Sequence, residues 1–195
     1  HVVDMRQEFQ KHGKSVIVSD VLIKSIALRL DRKEQVLVLI NRRGYASALL
    51  CRSCGHTETC DHCSISLTYH RSPNRLVCHY CGLLRSVPER CEMCGKKYIF
   101  FLGHGTEQVQ HIFEKLFPSA QIDRMDRDTV QRKGSVHKIL GAFASGKTDI
   151  LIGTQMIAKG HDFPRVTLVG VLMADQALKM ADFRAAERTF QLLTQ

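Results

Sequence analysis

With 195 residues, 44% of them hydrophobic and 24% charged, the chain has the composition of an ordinary globular protein with one full domain and a small second one. No apolar run approaches the roughly 20 residues that span a bilayer, and the charged residues near His1 argue against a signal peptide. We therefore expect no membrane contact. The missing initiator Met suggests an excised fragment. The formal net charge of +9 favours an anionic partner such as nucleic acid, although the scattered Lys and Arg residues also fit a solvated basic surface.

Outside a central cysteine-rich segment, short apolar runs alternate with amphipathic segments. The first predicted elements are a helix from about Asp20 to Leu30 and strands at Val36–Ile40 and Tyr98–Leu102. A helix containing Val109, Ile112, Phe113 and Leu116 follows, then a near-edge strand at Gln121–Met125 and a helix containing Val136, Ile139, Leu140 and Phe143. The last elements are strands at Ile150–Ile152 and Val166–Leu172 and a helix from about Asp182 containing Phe183, Ala186, Phe190 and Leu193. This alternation predicts an α/β fold, a parallel sheet with helices on both faces.

The ends of the two middle helices carry recognisable signals. Thr106 is predicted to cap the first helix and Pro118 to end it, while Ser135 is predicted to cap the second and Gly146 to end it. The segment 141–148 matches the phosphate-loop pattern GxxxxGK[ST]. A phosphate loop lies between a strand and a following helix, whereas this segment is predicted to end a helix and precede a strand. We therefore expect no nucleotide at this segment.

All eight cysteines lie in one segment, as the pairs Cys51/Cys54, Cys60/Cys63, Cys78/Cys81 and Cys91/Cys94. Four CxxC pairs so close together predict zinc sites rather than loop-closing disulfides. A glycine follows three pairs (Gly55, Gly82 and Gly95), which suits a tight turn that requires a positive φ; Ser64 follows the fourth. Because eight thiolates complete two closed shells, both zincs are predicted to be structural, with His56, His62, His70 and His79 outside them.

The four pairs can share two ions in sequential, alternating or nested order. Ile65–Tyr69 and Arg75–Val77 are predicted strands joined by a turn at 71–74, which folds the second pair back against the third. In an antiparallel hairpin, the residue numbers of facing residues add up to a constant. The cysteines of the second and third pairs satisfy this rule when they face each other, and so do those of the first and fourth pairs. The nested order is therefore favoured, with zinc 1 on Cys51, Cys54, Cys91 and Cys94, and zinc 2 on Cys60, Cys63, Cys78 and Cys81. Each four-thiolate site has a charge of −2, which lowers the net charge of +9 to +5.

Four further stretches, together with the inserted CxxC pairs, carry a resemblance to a known family: 36–46, 105–107, 149–164 and 182–195. Over essentially its whole length the chain resembles the PriA family of bacterial primosomal helicases. The resemblance implies the C-terminal, second RecA-like lobe of a superfamily 2 helicase, interrupted by a small zinc-binding β-hairpin domain. Residues 1–50 then begin the lobe, 51–95 form the zinc-binding insertion, and 96–195 complete the lobe as far as the arginine-finger motif.

The resemblance also implies a function for the full-length protein. It implies an ATP-dependent 3′-5′ DNA helicase that remodels stalled forks and starts primosome assembly for replication restart, with ATP and magnesium as cofactors. Implied partners are forked and single-stranded DNA, other primosome proteins and single-stranded-DNA-binding protein, in the bacterial cytoplasm at the nucleoid. Since the phosphate loop, the acidic motif and the arginine finger are missing, the fragment alone is expected not to hydrolyse ATP.

Individual site residues follow from the same resemblance. The stretch 154–164 resembles helicase motif V, which implies that Thr154 and Gln155 face DNA and that Gly160 and Asp162 face nucleotide. Asn41 to Arg43 resembles motif IV, which makes Arg42 a candidate DNA contact. Each of these residues also has an alternative role that involves no ligand. Thr154 would cap the end of a strand, Asp162 would form a turn, and Arg42 would be structural.

Three other functions fit the cysteines less well. A zinc-ribbon binding module without a motor does not explain the predicted α/β elements or the stretch 154–164. A chaperone-like cysteine-rich segment requires a repeated CxxCxGxG, and no pair here has the second glycine. A thiol redox protein would release no zinc to a chelator.

Overall fold

The structure is a computed structural model that describes residues 1–12, 16–41, 49–70, 74–97, 99–101, 105–126, 129–131, 134–158, 162–175, 178 and 184–194. These residues form two compact units. The described parts of 17–42, 104–176 and 187–195 form the sheet unit, and those of 1–16, 43–103 and 177–186 form the cysteine-rich unit. Among the described residues, no helix is long and apolar enough to span a membrane.

The sheet unit contains a four-stranded parallel sheet. Its strands are β1 (Gln35–Ile40), β7 (Ile122–Met125), β8 (Ile150–Gly153) and β9 (Val166–Leu172), in the order β7-β8-β1-β9. Val36 pairs with Ile150 on one side and with Leu168 on the other. Every residue of β1 and β8 is buried, which is typical of parallel strands covered on both faces. The predicted parallel α/β fold is confirmed, and β7 is an edge strand of this described sheet.

Alternate residues of β1 point into two separate cores. Val36, Val38 and Ile40 belong to the first core, to which Ile26 of α2 (Asp20–Asp31) and Phe113 of α3 (Thr106–Leu116) also contribute. The intervening residues of β1 belong to the second core, together with Phe143 of α4 (Ser135–Ala144) and Ile157 of the short 3₁₀ helix Gln155–Ala158. Side chains alternate across a strand, so the apolar run of β1 serves both cores.

Both predicted N-caps of the middle helices are wrong by one residue. Gly105 is the N-cap of α3, and Thr106 is its first residue, whose hydroxyl donates a hydrogen bond to the carboxylate of Asp126. Gly134, with φ of +87°, is the N-cap of α4, and Ser135 is its first residue. Glycine is tolerated at an N-cap, so the preference for hydroxyl side chains did not locate these boundaries. The predicted ends are confirmed, at Leu116 and just before Gly146.

The buried face of the last helix, α5 (Ala185–Leu193), also differs from the prediction. Leu192 is 9% exposed and lies in the second core, whereas Phe190 is 69% exposed and Leu193 is 51% exposed. Ala186 is exposed too, and Phe183 lies outside the described residues. Ala185 and Leu192 are buried where the prediction placed Ala186 and Leu193, so the buried stripe is shifted by one residue from the predicted one.

The cysteine-rich unit contains short strands and one helix that the sequence did not predict, α1 (Met5–His12). Its strands are β2 (Leu49–Cys51), β3 (Thr68–His70), β4 (Arg75–Val77), β5 (Leu84–Ser86) and β6 (Ile99–Phe101). The hairpin of β3 and β4 is confirmed, with Thr68 opposite Val77, and β5 adds a third antiparallel strand. Residues 71–73 of the predicted turn lie outside the described residues.

Strand β6 has a different partner from the one expected at Tyr98–Leu102. It does not join the parallel sheet but pairs antiparallel with β2, Cys51 lying opposite Ile99. The described residues between these two strands contain no crossover helix, and a parallel pair needs such a connection. The two ends of the cysteine-rich segment therefore pair with each other.

Candidate metal centres and strand-end residues

All four CxxC pairs adopt the same backbone turn. The carbonyl of each first cysteine accepts a hydrogen bond from the N–H of the residue after the second cysteine, at 2.7–2.9 Å; these residues are Gly55, Ser64, Gly82 and Gly95. The N–H of each first cysteine donates in turn to a carbonyl five residues later, at His56, Ile65, Leu83 and Lys96. These paired bonds satisfy the backbone and leave both thiol groups of each pair on one side of the turn.

The residue after each pair has a positive φ, which the sequence predicted for the three glycines. The angles are +78° at Gly55, +76° at Gly82 and +68° at Gly95, and Ser64 adopts +53°. Glycine occupies this region without steric cost, whereas an L-residue does so at roughly 1–2 kcal/mol. The glycines are therefore required by the backbone of the turn, and Ser64 tolerates a mild strain.

We expect Gly82→Ala to lower the free energy of unfolding by about 1 kcal/mol. Apart from its two chain neighbours, no described residue has a heavy atom within 4 Å of a methyl group at this position, so the loss would come from the positive φ alone. Gly141→Ala is the matched control: its site is equally open, but it lies inside α4, where alanine should stabilise by about 1 kcal/mol. Denaturant unfolding of zinc-loaded protein measures both changes. If both substitutions stabilised or both destabilised the protein, the requirement for a positive φ at Gly82 would be contradicted.

The four turns bring the eight thiol groups into two clusters. One contains Cys51, Cys54, Cys91 and Cys94, and the other contains Cys60, Cys63, Cys78 and Cys81. Within each cluster the Sγ atoms lie within 4.8 Å of one another. The Sγ atoms of Cys51 and Cys94, of Cys54 and Cys91, and of Cys60 and Cys81 are 3.6 Å apart. The clusters follow the nested order.

The donor set and its dimensions fit zinc. Zinc–thiolate bonds of about 2.3 Å in a tetrahedron place sulfur atoms about 3.8 Å apart, close to the distances in both clusters. A disulfide would bring two sulfurs to about 2.05 Å, and all eight cysteines are free. Each cluster is thus able to bind one zinc ion through four protein ligands, which leaves no position for a reacting water.

The protein environment acts unequally on the thiols of each cluster. The N–H of Cys81 lowers the pKa of Cys78 to about 7, and the N–H of Lys96 lowers the pKa of Cys94 to about 7. Burial raises the pKa of Cys51 and that of Cys63 to about 12. One thiolate per cluster is therefore favoured by the backbone, and the others form when a cation binds.

A buried acidic residue lies beside these turns, and sequence reasoning did not single it out. Glu58 is 2% exposed, and burial raises its pKa. Its carboxylate lies 3.7 Å from both the His56 Nε2 atom and the Arg85 guanidinium, while Arg85 also bonds to Glu92. Neighbouring basic groups offset the cost of burying a carboxylate. Through His56 and Arg85, Glu58 therefore links the first cysteine turn to β5. Its signal in the sequence was only a glutamate between two cysteine pairs.

Two of the predicted DNA-side residues, Thr154 and Gln155, lie at one edge of the parallel sheet. Thr154 follows β8 directly, and its carbonyl accepts a hydrogen bond from Ile157 at 3.1 Å; Gln155 begins the 3₁₀ helix. Asn41 follows the neighbouring strand β1, is 2% exposed and donates to the Ala174 carbonyl at 3.1 Å. The carboxyl ends of parallel strands are the usual ligand-binding edge of such a sheet.

Comparisons with known proteins agree with this organisation. The profile described as the PriA DNA helicase Cys-rich region (CRR) domain matches residues 60–85. The replication restart protein PriA of Bacillus subtilis (strain 168) is 51% identical over 194 residues, which cover 100% of this chain and 24% of that protein. The proteins of the same name from Haemophilus influenzae and Chlamydia pneumoniae are 42% and 43% identical, again over 100% of this chain and over 26% of each relative. Over its whole length, the chain is therefore similar to the replication restart protein PriA of these bacteria. It spans about a quarter of the length of these curated relatives.

The remaining site residues expected from PriA-family motifs are only partly described. Asp162 is exposed, shortly before β9. Gly160 and Arg42 lie outside the described residues. The structure brings Thr154 and Gln155 to the sheet edge, but the roles of all five residues in binding DNA or nucleotide stay predictions.

The phosphate-loop look-alike has the element order that the sequence predicted. It ends α4 and precedes β8, and the N–H groups of Gly146 and Lys147 donate within the helix end at 3.0 Å. The Gln35 amide donates to the carbonyls of Phe143 and Thr148 at 2.7 Å, so these carbonyls face the protein interior. A phosphate needs free N–H groups at a helix N-terminus, and this segment offers the opposite.

Proposed function

We propose that the chain is the second motor lobe and the zinc module of an ATP-dependent DNA helicase that acts in replication restart. The observation that carries this proposal is 51% identity across the whole chain to a protein named for replication restart. The profile on residues 60–85 belongs to a region described as part of a DNA helicase. The parallel sheet, with predicted motif residues at its carboxyl edge, fits a RecA-like lobe.

Within this lobe, DNA and nucleotide would meet different residues. Thr154 and Gln155 have side chains that are partly exposed at the end of β8, and we assign them, with Arg42, to the DNA backbone. Gly160 and Asp162 are assigned to the nucleotide. ATP and magnesium are cofactors of the full-length protein, whose first lobe would supply the phosphate loop and acidic motif. The 195-residue chain alone should therefore show no ATPase activity.

The zinc module is proposed to be the insertion 51–95, with one zinc in each four-cysteine cluster. The proposed substrates are forked and single-stranded DNA, unwound in the 3′-5′ direction at stalled forks. Other primosome proteins and single-stranded-DNA-binding protein are the proposed partners, and the bacterial cytoplasm at the nucleoid is the proposed location. The net charge, lowered from +9 to +5 by two four-thiolate zincs, still favours an anionic partner.

Fork unwinding by the full-length protein tests this proposal. We expect the intact protein to unwind a forked duplex only with ATP and magnesium, and Cys78→Ser to lose unwinding while it retains DNA-stimulated ATPase. This result would place the zinc module in strand separation. Equal loss of both activities would instead indicate general unfolding.

Two further variants sharpen the test. Thr154→Ala should reduce the stimulation of ATPase by DNA, because its hydroxyl lies at the proposed DNA edge. Lys147→Ala is the control: it changes the phosphate-loop look-alike, so both activities should be unchanged. If the intact protein shows no ATP-dependent unwinding, or if Lys147→Ala abolishes ATP hydrolysis, the assignment of function or of the nucleotide site is wrong.

A further inference from the structure

Two histidines of the cysteine-rich unit face each other outside both thiol clusters. The Nε2 atoms of His70 and His79 are 3.1 Å apart, and the ring centroids are 5.2 Å apart with an angle of 61° between the planes. His70 ends β3, and His79 follows the first cysteine of the third CxxC turn. The hairpin and the turn together thus present two imidazole nitrogens to one point.

We propose that His70 and His79 form a third, exchangeable metal site for a divalent transition ion such as Ni²⁺, Cu²⁺ or Zn²⁺. Imidazole is a preferred ligand of these ions. Metal–nitrogen bonds of about 2.0–2.1 Å set two nitrogens about 2.9 Å apart at a right angle and about 3.3 Å apart in a tetrahedron. The observed 3.1 Å lies between these two values, so one ion fits without rearrangement of the strands.

This site is distinct from the neighbouring thiol cluster. Cys60, Cys63, Cys78 and Cys81 already supply four ligands within 4.8 Å of one another, so that cluster needs no histidine. The backbone carbonyl and N–H of Cys78 are engaged within its own turn, and the His79 side chain is directed to His70 instead. The two functions therefore use different atoms of adjacent residues.

The exposure of the pair determines what kind of site it is. His79 is exposed and His70 partly exposed, so an ion held by two imidazoles keeps its other positions open to water or to an outside ligand. With two protein ligands instead of four, the ion exchanges readily, unlike the zincs in the closed clusters. Its presence would fasten the end of β3 to the third cysteine turn.

Equilibrium dialysis of the complete, untagged 195-residue chain against nickel chloride tests this site, with zinc and nickel counted in the same sample. We expect the zinc-loaded chain to keep two zincs and to bind one more nickel than the His70→Gln/His79→Gln variant. Each single variant should also lose that nickel and keep both zincs. His70→Gln lies outside the cysteine turns, so it separates loss of the site from damage to a turn.

His62→Gln is the matched control, because His62 lies in another CxxC turn of the same cluster. It should bind as much nickel as the parent chain. The proposal is overturned if the parent and the double variant bind equal nickel, if nickel enters only as zinc leaves, or if His62→Gln loses the same ion.

Discussion

Replacing Cys51 and Cys94 together with serine is expected to leave one zinc per chain, whereas replacing Cys51 and Cys78 together should leave none. The first pair belongs to a single thiol cluster, and the second pair takes one ligand from each cluster. Structural zinc contributes on the order of 10–16 kcal/mol of apparent binding free energy in small modules, so a missing thiolate should cost the whole ion and the local fold. Metal analysis after gel filtration measures the count.

This pair of double variants also separates the three possible pairings. Under the sequential or the alternating order, Cys51 and Cys94 would bind different ions, and their joint replacement would remove both. Ser53→Ala, inside the first turn but without a thiol, should retain two zincs and serves as the control. A Cys51→Ser/Cys94→Ser chain that contains no zinc would contradict the nested arrangement.

Phe113→Ala should lower the free energy of unfolding of the sheet unit by about 3–5 kcal/mol. Phe113 is fully buried in the first core, and its ring centroid lies 6.0 Å from that of Phe117. The substitution would remove a large apolar surface and leave a cavity under the sheet. Denaturant unfolding, followed with zinc bound, measures the change.

Phe190→Ala provides the matched comparison, because it is the same substitution at a side chain that is 69% exposed. Its effect should remain within about 0.5 kcal/mol. Comparable losses for the two variants would mean that Phe190 is buried, and that the face of α5 predicted from the sequence is the correct one.

Most of the sheet unit could be predicted because its signals are local and strong. Continuous apolar runs of strand length, separated by helices of amphipathic spacing, leave few alternatives to a parallel sheet covered on both faces. The strands at Val36–Ile40 and Val166–Leu172 were found nearly to the residue. The N-caps were missed by one position, because glycine took the place that hydroxyl residues usually occupy.

Long-range pairing was harder to predict. The apolar run that contains Ile99 looked like one more parallel strand, yet it pairs antiparallel with Leu49–Cys51 at the other end of the cysteine-rich segment. Neither the helix Met5–His12 nor the third strand Leu84–Ser86 had a pattern that stood out from its surroundings. Such elements are stabilised by their neighbours more than by their own propensities.

The sequence by itself determined the metal chemistry of this protein. Four CxxC pairs, three of them followed by Gly, define thiolate turns because both ligand type and spacing are local properties. Only the tertiary structure decided that Leu192 and not Phe190 is buried, and that His70 meets His79 outside the thiol clusters. These outcomes depend on which surfaces meet after the chain folds, and residues far apart in sequence set that geometry together.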